Sequence, residues 1–455
     1  MNVLLATVLI TSLSGFAPDN LTQTQVPEKE LRLLFWNHED ITSPFGNIEF
    51  GAEPLKNHGT ASGYPGMQYG CEAPRTEGGS FVYGWRIQNW SDSTNRVLEV
   101  VRCTTEDGKT FFDEQVLFSH GKTRWQGFAN VVRQPGTGEI YLFSWAEGHL
   151  YVFKSKDGHN FALLTKEAYT GHDAMCVTWH PDLNQFLNYQ TMTEPYPKRY
   201  PDNIGPHRRV LSFQKSSDGV TWEMFSPRFL RGQMLWQPDA ADPADLEFYR
   251  CIVFPHLGRY AMLLVNYVPP PPNANSRRGN TKHGPSYMAE WAISRDGLNW
   301  ERPFRNINAY ACQFWMPTQG PITRGGLLRF YHPDGRIAAL VLDRIFYTTC
   351  RANGEFSTKS FQMPTQGLFL NAYLVYPEVE RPNGQAYVMA ELTDVKGEVI
   401  EGYEREKCLF EDCEGQNLPL LWEGKNGNEL AGKSVRVRFF LRAAKIYALT
   451  GASTI

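Results

Sequence analysis

Ser217-Asp218-Gly219-Val220-Thr221-Trp222 and Ser294-Arg295-Asp296-Gly297-Leu298-Asn299-Trp300 are two copies of one phrase. Thr105-Glu106-Asp107-Gly108 and Ser155-Lys156-Asp157-Gly158 are two more, each with a phenylalanine (Phe111, Phe161) three residues past the glycine. Arg351-Ala352-Asn353-Gly354 is a degenerate fifth. Strand-like runs precede the copies, such as Arg96 to Val101 and Leu150 to Phe153. Asp-Gly and Asn-Gly favour two-residue hairpin turns, whose central residues take positive φ. The markers Asp107, Asp157, Asp218, Asp296 and Asn353 lie 50, 61, 78 and 57 residues apart by subtraction. A four-stranded sheet recurring at that length is a β-propeller blade, so five copies predict five blades.

Strand periodicity continues after Gln366 without the phrase, in Ala386 to Leu392 and Val435 to Leu441. The fold class expected is all-β: a five-bladed propeller over 18–365, then a C-terminal β-sandwich over 366–455. Residues 1–17 form an apolar stretch ending in small residues, which reads as a signal peptide and places the protein outside the cell or in a periplasm. No later run is long and apolar enough for a membrane span. With 45 basic and 48 acidic residues the net charge is −3, which gives nucleic acid no electrostatic footprint. The eight cysteines are scattered, and only Cys408 and Cys413 are close enough in sequence to suggest a local bridge. No zinc pattern and no cofactor motif appears; a structural cation in the channel, such as calcium, is left open.

Two long connections, 193–207 in blade three and 269–285 in blade four, join second to third strands. They share a face with the starts of the innermost strands, opposite the Asp-Gly turns, and long loops carry function. Asp173 lies eight residues before the turn at Pro181, Glu247 eight before Pro255, and Glu72 eight before Ser80. Three carboxylates at matched depth on one axis would repel and separate their pKa values, as acid–base chemistry on a glycosidic bond requires. The plainer reading gives each a backbone N–H or an ion. His172 and Arg250 beside these positions, and the aromatics Trp85 and Trp125, are candidate sugar contacts; Trp179 and Trp236 are equally suited to blade packing. Asp40, Asp242 and Asp245 are reserve carboxylates. Arg277, Arg278, Lys282 and His283 make the blade-four loop basic. The aspartates of the Asp-Gly turns are explained by turn chemistry alone.

On these residues the chain resembles the five-bladed propeller glycoside hydrolases of families 43 and 32, with the trailing sandwich nearer to family 32. The resemblance implies hydrolysis of a glycosidic bond at the end of a glycan. It implies Glu72 as base or nucleophile, Asp173 as the tuning residue and Glu247 as the general acid. The Asn-Asp-Pro phrase of family 32 is absent, and Asp40 is the alternative first carboxylate. A non-catalytic glycan-binding propeller predicts instead that these carboxylates do not meet, or are neutralised by Arg or Lys. A polysaccharide lyase is the third reading, and would use the basic loop.

Overall fold

The computed structural model describes residues 31–451 except 77, 93, 124–125, 147–148, 169–173, 199–203, 224–234, 270–285, 306, 310–316, 318 and 375–385. The expected signal peptide lies outside the described residues. The remainder is a five-bladed propeller joined to one large curled sheet.

Blade one comprises Gln68–Pro74, Ser80–Gln88, Arg96–Thr105 and Phe111–Thr123, paired in that order. Blade two comprises Gln126–Arg133, Ile140–Ala146, His149–Ser155 and Ala162–Ala168. Blade three runs Met175–His180, Gln185–Pro195, His207–Ser216 and Leu235–Trp236. Blade four has Glu247–His256, Arg259–Val268 and Ser286–Ser294, with Glu301 bridging to Ile293 at its outer edge. Blade five has Ile322–Arg324, Leu327–Tyr331 and Arg336–Val341. Its fourth strand is Lys56–Thr60, from the N-terminal side of the propeller. A ring closed in this way ties its two ends together through backbone hydrogen bonds.

The fifth phrase is therefore not a blade turn. Asn353 and Gly354 fall inside Phe346–Thr358, a strand of the C-terminal sheet that pairs with Ile41–Ala52. The phrase failed as a marker because the outer strand of the closing blade comes from elsewhere in the chain.

The four real phrases are also not two-residue turns. Positive φ occurs at Gly108, Gly158, Gly219 and Gly297 but not at the aspartates before them. Asp218 Oδ1 accepts the N–H groups of Val220 and Thr221 at 2.8 and 2.7 Å, and Gly219 N–H donates to Ser216 Oγ at 2.9 Å. The aspartate side chain thus replaces the cross-strand partner and supports a longer turn.

Each turn then keys into the preceding blade through the aromatic that follows it. Phe111 meets Tyr331, Phe161 meets Phe118, Trp222 meets Phe143 and Trp300 meets Tyr189, with centroids 5.8, 6.0, 5.9 and 6.0 Å apart. At blade four the N-terminal segment takes the place of a fifth turn. Trp36 stacks on His256, and Asp40 receives Arg259 through two bonds of 2.8 and 2.6 Å and Arg295 at 2.7 Å.

Among the described residues the C-terminal sheet has ten strands and curls around its own core, which includes Phe35, Phe356, Phe439 and Trp422. This is the expected sandwich, but it takes in Phe346–Thr358 ahead of residue 366, together with Arg32–Leu34 and Ile41–Ala52. Cys408 and Cys413 are free thiols. The strand Leu409–Glu411 separates them, and the local bridge suggested by their spacing is not formed. No described helix is long and apolar enough to cross a membrane.

Candidate functional site at the loop face

The innermost strand of blade four opens with Glu247 on the face of the long connections, opposite the Asp-Gly turns. The segment feeding it is held by Asp242, whose carboxylate receives Arg302 at 2.6 and 2.8 Å and Arg305 at 2.9 Å. Burial acts to raise the Asp242 carboxyl, but the Arg302 hydrogen bonds, the Asp239 backbone N–H and the charges of Arg302 and Arg305 together hold the group below its ordinary range. Asp242 is therefore a brace for the loop; Asp245 lies half-buried in the same loop.

Glu247 has no exposed side-chain surface. Its Oε2 accepts Arg209 Nη1 at 2.7 Å and the Arg209 backbone N–H at 3.3 Å, and its Oε1 lies against Lys198 Nζ. Arg209 is the third residue of His207–Ser216, the third strand of blade three, and Lys198 lies in the long connection before it. The Arg209 guanidinium also covers the rings of Tyr249 and Tyr267 at 5.3 and 5.1 Å. Tyr249, Tyr267 and Tyr287 touch one another at 5.2–5.6 Å, and Tyr287 is 56% exposed.

Thr191 ties this cluster to the next blade. Its N–H donates to Ala174 O at 3.0 Å, and its hydroxyl donates to Tyr249 O. Ala174 directly follows His172-Asp173 in the chain. The openings of two innermost strands are thereby fixed to one residue. His172, Asp173 and Trp125 themselves lie outside the described residues, as does the basic stretch from Arg277 to His283.

Glu72 lies at a different depth. It is the fifth residue of Gln68–Pro74, near the strand's far end. Tyr69 Oη donates to it at 2.6 Å and Arg324 at 3.3 Å. The same Arg324 donates to Ser80 Oγ at 2.7 Å, where the second strand begins on the turn face. The matched count failed because the chain turns between Arg75 and Gly79, so counting back from Ser80 lands inside the strand. Glu72 and Glu247 thus sit toward opposite ends of the innermost strands. Asp40, the reserve, is also on the turn face, filled by Arg259 and Arg295.

Among the aromatic candidates, Trp85 and Trp179 are buried in blade cores, and Trp236 packs on Phe248 at 5.1 Å. Arg250 donates to Pro317 O at 2.8 Å, joining blade four to the segment before blade five. Besides Tyr287, the loop face presents Trp90, 59% exposed in the connection after Ser80–Gln88. Arg96 lies 4.4 Å from its ring centroid. Lys198, Arg209 and Trp90 were not singled out by spacing, although the two cations do fall in or just after a connection that was. No three metal-ligating side chains converge among the described residues.

No family model and no curated protein matches the chain. Its strand arrangement is similar to several solved structures. One is a family 117 glycoside hydrolase from Zobellia galactanivorans, at 12% identity and TM-score 0.35, over 66% of this chain and 90% of that one. A fructofuranosidase from Schwanniomyces occidentalis gives 9% identity and TM-score 0.37, over 87% and 97%. An N-acetylgalactosamine deacetylase from F. plautii gives 11% and 0.36, over 73% and 85%. A family-43 glycoside hydrolase falls in the same range. Likeness this shallow decides nothing about chemistry, so the functional reading rests on the site.

Proposed function

We propose that the protein is an exported glycoside hydrolase working at the loop face between blades three and four. The observation that carries this is the wholly buried Lys198–Glu247–Arg209 cluster, tied by Thr191 to the opening of the neighbouring innermost strand. Such a buried ion cluster is costly to assemble, and this one stands where the long connection of blade three meets the start of the innermost strand of blade four. The adjacent tyrosines and the exposed ring of Trp90 supply the flat faces that sugar C–H groups stack on.

The geometry changes the roles expected from the sequence. An acid must present a proton to the leaving oxygen, and both oxygens of Glu247 are engaged by cations. Glu247 fits the ionised member of a carboxylate pair, with Asp173 as proton donor, and Glu72 drops out of the chemistry. The cation clamp also favours a second reading, in which the loop face binds glycans without cleaving them. The apolar residues 1–17 support export.

Hydrolysis of a panel of aryl glycosides and oligosaccharides by wild type, Glu247→Gln, Asp173→Asn and Glu72→Gln tests this. Loss of roughly 10²–10⁴-fold in the first two variants, with Glu72→Gln active, is expected. Loss confined to Glu72→Gln would overturn the assignment. Glycan binding without turnover by the wild type would select the second reading.

A further inference from the structure

We propose that the cleft between blade five and the C-terminal sheet is a second binding site, for a sugar that carries a carboxylate. The cleft encloses about 430 Å³, within the range of small-ligand sites, which favour junctions of this kind. Blade five supplies an apolar floor with Leu327 and Leu340, and the curled sheet supplies the half-buried ring of Tyr373.

The charges on its walls are unevenly matched. Glu53 Oε1 receives Lys445 Nζ at 2.5 Å and Tyr447 Oη at 2.9 Å, so the Lys445 charge is answered within the wall. Arg344 is answered by Glu414, and also donates to Asn371 Oδ1 at 2.9 Å. Lys56 is the exception: its nearest carboxylate oxygen, on Glu53, is 3.9 Å away, and its side chain is 70% exposed. Burial, then Lys109 and Arg329, hold His58 below its ordinary range, so beside Lys56 it is a neutral donor or acceptor at pH 7.

These features select the occupant. An apolar molecule would strip water from the wall charges without replacing their hydrogen bonds. A lone inorganic anion would meet Lys56 and leave most of the volume unused. A pyranose ring uses the mixed donors and acceptors and lays its C–H face on Tyr373, while its carboxylate answers Lys56. Nothing here depends on turnover at the loop face, so a silent hydrolysis assay leaves this site testable.

Calorimetric titration of the full chain with methyl β-glucuronide and its uncharged partner methyl β-glucoside is the experiment. The expected result is a preference of about tenfold for the glucuronide, weakening as salt is raised. Lys56→Met should abolish the preference, and Tyr373→Ala should weaken both sugars. Both positions are solvent-accessible, and circular dichroism of each variant checks the fold. Equal affinity for the two sugars, or a preference that survives Lys56→Met, would overturn the proposal. Competition by equimolar phosphate as strong as by the glucuronide would reduce the cleft to a simple anion site and overturn it too.

Discussion

The two faces of the propeller hold their carboxylates in opposite ways. On the turn face Asp107 and Asp157 accept backbone N–H groups two and three residues ahead, at 2.7–2.8 Å. The backbone bonds from Thr110 and Asn160 are the leading cause that holds these two carboxyls below their ordinary range. On the loop face nothing near Glu247 in sequence satisfies it. Arg209 stands 38 residues earlier, and Lys198 reaches across from the same neighbouring blade. A carboxylate satisfied by its own turn shapes the chain; one satisfied by distant cations holds blades together and is available for function.

The largest effect separating the faces should come from Arg209→Met. It leaves Glu247 buried with a single cation, and loss of one partner from such a cluster costs about 3–5 kcal/mol. Urea unfolding measures it, and adding Glu247→Gln should recover part of the loss. A cost below about 1 kcal/mol would mean that Glu247 is as self-sufficient as the turn aspartates.

Asp40 sharpens the contrast, because it lies on the turn face yet depends on residues 219 and 255 positions away. Asp40→Asn should cost roughly 2–3 kcal/mol near neutral pH, in the range of charge-assisted bonds. Burial alone would raise the Asp40 carboxyl; Arg259, the Trp36 backbone N–H and Arg295 together hold it below its ordinary range. Its folded value is then lower than its unfolded one. The stabilisation is present above about pH 4 and is lost as pH falls through the folded value. Unfolding followed from pH 7 to pH 3 should therefore show a shallower acid loss in Asp40→Asn than in wild type. Equal slopes would remove Asp40 from the acid sensitivity.

What was legible in the sequence follows the same division. Four blades could be counted because each phrase carries its own chemistry, from the Asp-capped turn to the aromatic key. The fifth could not, because blade five is finished by Lys56–Thr60, and no local pattern announces a partner so far away. Asn353-Gly354 then stood in for a turn that the ring does not need. The position of Glu247 at the start of an innermost strand could be read from its distance to a turn, but its cations could not, since ion pairing between blades leaves no periodic trace. Glu72 was misplaced by an assumption about turn length.

A smaller effect is expected within the turns. At Gly219 φ is +76°, and an added Cβ would lie 3.3 Å from the rings of Tyr141 and Phe143 in blade two. Gly219→Ala combines left-handed strain with crowding at the key, and should cost about 1–2 kcal/mol. Thermal unfolding would read this as a lower midpoint. An unchanged midpoint would show that the turn can move away from blade two, and that the aromatic keys are dispensable one at a time.

The smallest effect on stability should come from Trp90, where the loop face borrows the turn face's own device. Asp92 Oδ1 accepts Thr94 N–H and the Thr94 hydroxyl at 3.0 and 2.7 Å, and Asn95 Nδ2 donates to Asp92 Oδ2 at 2.6 Å. These bonds, led by the one from Asn95, hold the Asp92 carboxyl down at about 2. Arg96 Nε donates to Trp90 O at 2.9 Å while its guanidinium covers one side of the indole. The connection is thus braced by local bonds, with the other side of the ring turned to water. Trp90→Ala should change unfolding stability by no more than about 0.5 kcal/mol, as for an exposed position. The same variant should weaken recognition of oligosaccharides by about 1 kcal/mol, the scale of one aromatic contact, and leave short aryl glycosides unaffected. A drop in stability instead would make Trp90 a packing residue of blade one, and would leave Tyr287 as the exposed ring of the loop face. A change in neither quantity would leave Tyr287 as the ring to test next, beside the cations that hold Glu247.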